Sequence, residues 1–484
     1  MKYDYHAVVI GAGSGGLVVA AGCANFGARV ALVEEAHMGG DCLNAGCVPS
    51  KAFLRGAHAA AAARELGRFG VNARVEGVDL GKTMDRVASI VKEVSPRDSE
   101  ERFRGLGVDV VRARGALVDA HTVKAGDRLL TAKYIVLATG SEPMVPPVPG
   151  LDGVKYYTNS DIFTLRTLPK KLLVLGAGPI GLELGQAFRH LGSEVEVIDQ
   201  APSLFGKDDP EVAPLMLETL TAEGIVFSLG AKILGVSKSG DGVSVKIERD
   251  GKAQEAAGDA LLVALGRKPV TAGLSLEAAG VALDGRGYIK TDTRLRTSAP
   301  NIYACGDCTG PYLFTHTAGY QAGIVIRNII FGLPAKADYH NLAWTTYTRP
   351  EVAHVGLTEQ EAAKAGLLRD KVLLPLAEND RALAEEDRRG FLKFVVGPGG
   401  RLIGATLVGE KAGEMIGAAA LAVTNKLKAS AFASVMFSYP TEAELFKTAS
   451  YEYMKRGFKP WMKNLVKSVL LRGTAAGGPE KNDD

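Results

Sequence analysis

Val8-Val9-Ile10-Gly11-Ala12-Gly13-Ser14-Gly15-Gly16 carries an apolar strand pattern into GxGxxG and then into an alanine-rich stretch reaching Phe26. Strand, glycines and helix in that order make a dinucleotide fingerprint. Gly11 permits the tight turn, Gly13 lets the backbone approach a pyrophosphate, and Gly16 lets helix pack closely on strand. The next strand pattern, Arg29 to Val33, ends in Glu34, placed to hold the 2′ and 3′ hydroxyls of an adenosine ribose. The fold class that follows is α/β.

The pattern recurs further along. Lys171 to Leu175 reads as a strand, Gly176-Ala177-Gly178-Pro179-Ile180-Gly181 repeats GxGxxG, and Leu182 to Leu191 reads as a helix. The strand after it, Glu194 to Ile198, ends in Asp199. An acid there accepts from a ribose 2′-hydroxyl and repels a 2′-phosphate, so NADH is expected rather than NADPH. Two fingerprints roughly 165 residues apart amount to an internal duplication with one site for each of two dinucleotides.

Between them lies Gly39-Gly40-Asp41-Cys42-Leu43-Asn44-Ala45-Gly46-Cys47-Val48-Pro49-Ser50-Lys51, with two of the chain's five cysteines. On an ideal helix residues five apart are about 8 to 9 Å distant, whereas a disulfide needs Cα atoms within about 7 Å. Cys42 must therefore precede a regular helix, or the first turn must be distorted. Pro49 fits an opening turn, which leaves Cys47 at the helix N-terminus, where the dipole favours a thiolate. Lys51 offers a cation on the same side. Glu183, just inside the second fingerprint helix, is a candidate partner for Lys51.

The 484 residues are 46% hydrophobic, enough for a large core divided among about three domains. A net charge of +3 gives no sign of a nucleic-acid partner. Met1 leads straight into a strand pattern with no signal-peptide character, and no apolar run reaches the 18 or so residues of a spanning helix, so the expected location is cytoplasmic. In a reducing compartment a close cysteine pair is more often catalytic than structural.

Residues 57 to 105 read as helical, followed by strand patterns over Val108 to Leu117 and Thr131 to Leu137, then Ala138-Thr139-Gly140. Pro143, Pro146, Pro147 and Pro149 mark a linker. Ala260 to Leu265 is another strand, turning at Gly266. Cys305-x-x-Cys308 lacks a second ligand pair, so no metal site is expected; Asp307 reads instead as a carboxylate accepting from a ligand hydroxyl.

With these stretches in view, the chain resembles the class I pyridine nucleotide-disulfide oxidoreductases, the group of dihydrolipoyl dehydrogenase, glutathione reductase and mercuric reductase. The motifs that carry the resemblance are GGDCLNAGCVPSK, both fingerprints, ATG at Ala138 to Gly140, ALGRKP at Ala264 to Pro269 and IYACGD at Ile302 to Asp307. It implies two Rossmann-like dinucleotide-binding domains and a C-terminal α+β dimerisation domain that makes a homodimer. Expected divisions are 1–148 for the first part of the FAD domain, 149–270 for NAD(H), 271–340 for the FAD return, 341–458 for the interface domain and 459–484 for a basic helix and tail. Gly11, Gly13, Gly16, Glu34, Lys51, Gly115, Ala138, Thr139, Gly140 and Asp307 are implied to contact FAD. Gly176, Gly178, Gly181, Glu183, Asp199 and Gly266 are implied to line the NADH site. Cys47 is implied to be the flavin-facing thiol and Cys42 the interchange thiol.

The chain departs from disulfide-reducing relatives at Phe437-Ser438-Tyr439-Pro440-Thr441, where those relatives carry His-x-His-Pro-Thr. Tyr439 holds the position of the acid–base histidine, while the acid that would orient it, Glu444, remains. A phenol near pKa 10 is a poor base beside imidazole near 6.5, and none of the other histidines lies near in sequence; His316 is expected to be structural. Mercuric reductases also carry tyrosine here, but with a C-terminal cysteine pair that this chain lacks. The expectation is an NADH:acceptor oxidoreductase working through Cys42 and Cys47 on a metal ion, a quinone or an unusual disulfide. Dihydrolipoyl dehydrogenase is the alternative, and a flavin-bound redox sensor is the alternative of another class.

After Pro460, Trp461, Met462, Leu465, Val466, Val469 and Leu470 share one face, with Lys463 and Lys467 turned away and Lys455, Arg456 and Lys459 nearby. A helix docked on its own domain is the expected reading, with contact to an anionic membrane surface as its competitor. Thr474 to Asp484 is expected to be disordered.

Overall fold

Parallel strands covered by helices on both sides must be apolar throughout, and Tyr5–Ile10 (β1) and Val30–Glu34 (β2) are buried along nearly their whole length. The computed structural model describes residues 2–471. It separates into two compact units, Met1–Arg349 and Pro350–Asp484.

In the first unit Ser14–Asn25 (α1) crosses between β1 and β2, which pair in parallel. The thiol segment follows as Gly40–Asn44 (α2) and Cys47–Glu65 (α3), then Leu80–Val94 (α4) and Glu100–Gly105 (α5). Asp109–Arg112 (β3) extends the parallel sheet beside β2. Gly115–Leu117 (β4), Thr122–Ala125 (β5) and Arg128–Leu137 (β6) form an antiparallel meander, and the second half of β6 pairs with β1. The region over 57 to 105, expected to be helical, holds parts or the whole of three helices with breaks between them. Gly70, at φ +75°, closes a 3-10 turn after α3, and no regular element spans residues 71–79. Pro96 then opens a second 3-10 turn, and Ser99 caps α5 through Arg102 N–H.

Ser141–Pro143 (β7), at the start of the expected proline linker, forms a strand. Lys171–Leu175 (β8), Pro179–Leu191 (α6), Glu194–Asp199 (β9), Val212–Ala222 (α7) and Ile225–Leu229 (β10) build the second nucleotide-binding sheet. Lys232–Ser239 (β11), Gly242–Arg249 (β12) and Lys252–Gly258 (β13) form its antiparallel meander, and Ala260–Val263 (β14) returns beside β8. The two sheets thus share one plan, a parallel core with a three-stranded excursion. Arg267–Pro269 (β15) pairs with β7, and Ile302–Ala304 (β16) joins the first sheet beside β6. Thr315–Ile330 (α8) and Ala343–Thr346 (β17) complete the unit.

Phe53 on α3 and Phe188 on α6 are both fully buried, with ring centroids 5.0 Å apart. That contact packs the thiol-bearing helix against the helix of the second fingerprint.

The second unit holds an antiparallel sheet of Glu351–Gly356 (β18), Asp370–Pro375 (β19), Phe391–Val396 (β20) and Leu402–Gly409 (β21), paired in the order β18-β21-β20-β19. Its helices are Glu359–Lys364 (α9), Asp380–Ala384 (α10), Ala412–Thr424 (α11), Glu444–Arg456 (α12) and Pro460–Leu465 (α13). The expected docking of the last helix is not observed: Trp461, Leu465, Val466, Val469 and Leu470 are all exposed. The expected tail, Thr474 to Asp484, lies outside the described residues. Among the described residues no helix is long and apolar enough to cross a membrane.

Truncating Phe53 to alanine should cost about 3 to 5 kcal/mol, as expected for a fully buried aromatic. Urea denaturation of wild type and Phe53→Ala measures it.

Candidate active site

The two glycine loops are the same construction at the atomic level. Gly11, at φ +102°, passes so close to β6 that a Cβ there would lie 2.4 Å from Ala138 O. Gly176, at φ +108°, would meet Ala264 O at 2.3 Å. A Cβ on Gly16 would strike Gly11 O at 1.8 Å, and one on Gly181 would strike Gly176 O at 1.9 Å. Only glycine fits these four places.

Gly13 and Gly178 cap α1 and α6 with no side-chain bond, which leaves backbone N–H groups of each first turn for a phosphate. A Cβ on Gly178 would meet nothing within 4 Å, so the space before that loop is open to a ligand. The strand-end acids also correspond. Glu34 accepts from Ala12 N and Ala36 N, both at 2.7 Å, and Asp199 accepts from Ala177 N at 2.5 Å and Ala201 N at 2.7 Å. Each carboxylate oxygen keeps a further lone pair for a ribose hydroxyl. The residues present therefore fit two dinucleotides. Gly115 packs against Ile10 and Val33 within the first sheet.

The thiol segment resolves the spacing problem by breaking the helix. Cys42 lies in the single turn of α2, Ala45 and Gly46 interrupt, and Cys47 is the first residue of α3. Both thiols are free. The neighbouring Cys42 thiol is the main reason the Cys47 thiol is pulled down to about 6, helped by Thr315 and the Lys51 charge against burial. Thr315 Oγ1 is 3.4 Å from Cys47 Sγ. Cys42 shifts in the opposite direction, raised by the neighbouring Cys47 and by burial.

Lys51 Nζ reaches Glu183 Oε2 at 2.6 Å and sits 4.3 Å over the Tyr347 ring. Glu183, buried on α6, uses its other oxygen to accept from Tyr347 N at 2.9 Å. Lys51 and Glu183, brought together as expected, thus link the two nucleotide-binding regions beside Cys47.

Arg267 was not singled out by sequence reasoning, although it lies in ALGRKP. Its guanidinium donates to Ser141 Oγ at 2.7 Å and Ser141 O at 2.8 Å, and contacts Asp41 at 3.3 Å. Ser141 in turn donates to Asp307 at 2.6 Å. Burial raises the Asp307 carboxyl, opposed by that bond and by the Arg267 charge. Asn159 donates to Asp41 and to Ala45 O, both at 3.3 Å. One arginine and one asparagine thereby anchor the turn that carries Cys42. Thr139 donates to Val270 O at 2.6 Å, and Gly266, at φ +116°, accepts from Met144 N, so both small-residue turns lie along the β7–β15 ribbon.

Cys305 and Cys308 are core thiols, both raised by burial. His316 is exposed, bonded through Nε2 to Ala343 O at 2.8 Å and stacked on Phe314.

In the second unit Tyr439 is 72% exposed. Its hydroxyl donates to Asp380 Oδ2 at 3.1 Å rather than to Glu444, which opens α12. The Asp380 bond raises the phenol above its ordinary value. Asp380 lies 59 residues away in sequence, and no local pattern marks it.

Residues 5–322 match the pyridine nucleotide-disulphide oxidoreductase family, and residues 342–450 match its dimerisation domain. Mercuric reductase of Bacillus cereus is 35% identical over 455 residues, covering 94% of this chain and 72% of that protein. Dihydrolipoyl dehydrogenase of Geobacillus stearothermophilus is 34% identical over 448 residues, covering 92% and 95%. Among solved structures, the Cu(II) complex of the HOCl-induced flavoprotein disulfide reductase RclA from Escherichia coli superposes with a TM-score of 0.82 at 29% identity, covering 91% of this chain and 98% of that one. With both family regions matched and the duplicated nucleotide loops flanking a dithiol, the chain belongs to the pyridine nucleotide-disulphide oxidoreductases, a family of FAD-dependent enzymes that use pyridine nucleotides.

Proposed function

We propose that this enzyme oxidises NADH and delivers the electron pair through the Cys42–Cys47 couple to a thiophilic metal ion. The observation that carries the proposal is that Tyr439, at the sequence position of the relatives' acid–base histidine, donates its hydroxyl to Asp380 and offers no base to unload Cys42. The homodimer implied by the dimerisation domain is part of the same reading.

FAD, when bound, supplies the two-electron relay between nicotinamide and disulfide. The chain's residues do the rest. Gly13 and Gly178 admit pyrophosphates to the two helix ends, and Glu34 and Asp199 hold the riboses. Two electrons and one proton convert the disulfide into one thiolate and one thiol. The charge rests on Cys47 Sγ, steadied by the Cys42 S–H, Thr315, Lys51 and the α3 N-terminus. The proton rests on Cys42 Sγ.

A disulfide substrate needs Cys42 as a thiolate, and therefore a base to take its proton. Tyr439, already a donor to Asp380 and with its own proton held more tightly, is unsuited to that task at neutral pH. A thiophilic cation differs, because forming the metal–sulfur bond itself expels the thiol proton to solvent. The pair of electrons then reduces one ion by two units or two ions by one each, and the Cys42–Cys47 disulfide re-forms. The mercuric reductases and the Cu(II)-bound flavoprotein among the similar proteins support this choice of acceptor class.

Three measurements test the proposal. In NADH-reduced protein the long-wavelength thiolate-to-flavin absorbance should titrate with a midpoint near pH 6, present above it and lost below, because Cys47 must be deprotonated to give it. Lys51→Met removes a stabilising cation and should move that midpoint upward. Steady-state kinetics should favour NADH over NADPH by at least about tenfold in kcat/KM, and Asp199→Ser should narrow the gap. Anaerobic NADH oxidation should respond to Cu(II) or Hg(II) and fail in Cys42→Ser, while lipoamide turnover stays slow until Tyr439→His raises it by at least about tenfold. Rapid lipoamide reduction by wild type, with no response to either ion, would establish the dihydrolipoyl dehydrogenase reading instead.

A further inference from the structure

Residues 458 to 471 lie beyond the matched dimerisation region, which ends at residue 450. They form α13 and, continuing it, a stretch of i→i+5 turns over Val466–Leu470. At about 1.5 Å per residue the helical segment is roughly 16 Å long.

Its side chains fall into columns four residues apart. Trp461, Leu465 and Val469 make one column, and Met462, Val466 and Leu470 make its neighbour. Lys459, Lys463 and Lys467 form the column bordering the second of these. The apolar columns are mostly left uncovered: Trp461 is 58% exposed, Val469 59% and Leu470 75%, with Phe458 at 63% just before them and only Met462 half-buried. From Phe458 to Leu471 there is no aspartate or glutamate to neutralise the three lysines. Upstream, Lys455 and Arg456 are already paired with Glu452 and Asp370.

We propose that this segment docks the enzyme on an anionic lipid bilayer surface, with the Trp461 and Met462 columns entering the headgroup and acyl boundary and the lysine column meeting lipid charge. An apolar strip bordered by lysines matches the two components of such a surface together. A second copy of the chain matches it less well. It would cover the apolar strip but, with the whole chain at +3, brings no excess of acid to the lysines.

The test is co-sedimentation of the full-length FAD-loaded protein with vesicles of phosphatidylcholine alone or with about 30% phosphatidylserine. Wild type should pellet with the serine-containing vesicles at least about tenfold more than with neutral ones, and about 0.5 M salt should release it. Leu465→Glu with Val469→Glu should abolish pelleting while NADH turnover with its acceptor is unchanged. Lys463→Glu with Lys467→Glu should abolish the preference for anionic lipid. Because all four side chains are exposed, these variants should fold. No pelleting of wild type, or equal pelleting with both vesicles, would overturn the proposal. Sedimentation velocity supplies the other decisive outcome: if Leu465→Glu with Val469→Glu converts dimer to monomer, the face belongs to a second copy.

Discussion

The 2.6 Å contact between Lys51 and Glu183 is the interaction on which the site depends. Glu183 is buried, and a buried carboxylate is tolerable only when charge and hydrogen bonds compensate it; Lys51 and the Tyr347 N–H do so. The pair spans the thiol-bearing helix and the N-terminal half of the second nucleotide helix. It places a cation beside Cys47 at the same time. Phe53 against Phe188 holds the same two helices through apolar contact, so charge and packing act on one junction.

The turn that carries Cys42 is held from its other end by Arg267. Asp41 precedes Cys42, and its carboxylate is fixed by Arg267 and Asn159 while Arg267 also reaches, through Ser141, to Asp307. The turn is therefore suspended between residues drawn from four other stretches of chain. That suspension matters because the approach of Cys42 to Cys47 depends on the short break at Ala45 and Gly46. A regular helix through those residues would separate the two thiols.

Much of this was legible in the sequence, and the reason is locality. The glycine loops, the strand-end acids and the position of Cys47 at a helix start all follow from residues within about one element of each other, where backbone sterics decide the outcome. Lys51 with Glu183 could be anticipated because each was already marked by its own motif. What escaped was long-range: Asp380 for Tyr439, Thr315 for Cys47 and Asn159 for Asp41 are single polar residues with no periodicity around them. The interruption of the helical region by residues 71–79 escaped for a different reason. Alanine-rich and amphipathic patterns on either side drew the reading across the gap, although Gly67, Gly70 and Gly77 mark it as a break.

The exposed last helix and Tyr439, which stands where the disulfide-reducing relatives carry histidine, both lie at the surface of the second unit. In the first unit, side chains are fixed by close packing around two nucleotide loops that leave little freedom: four glycine positions would each bring a Cβ within 2.4 Å of a backbone oxygen. In the second unit Tyr439 and most residues from Phe458 to Leu471 are solvent-facing, so they can change without disturbing the sheet beneath them. Selection for a new acceptor or a new location acts most cheaply there. On the proposed function, the family core would keep its electron transfer while the phenol bonded to Asp380 sets the acceptor class. On the proposed docking, the strip of lysines and apolar side chains would set the location, and the fold itself does not need it.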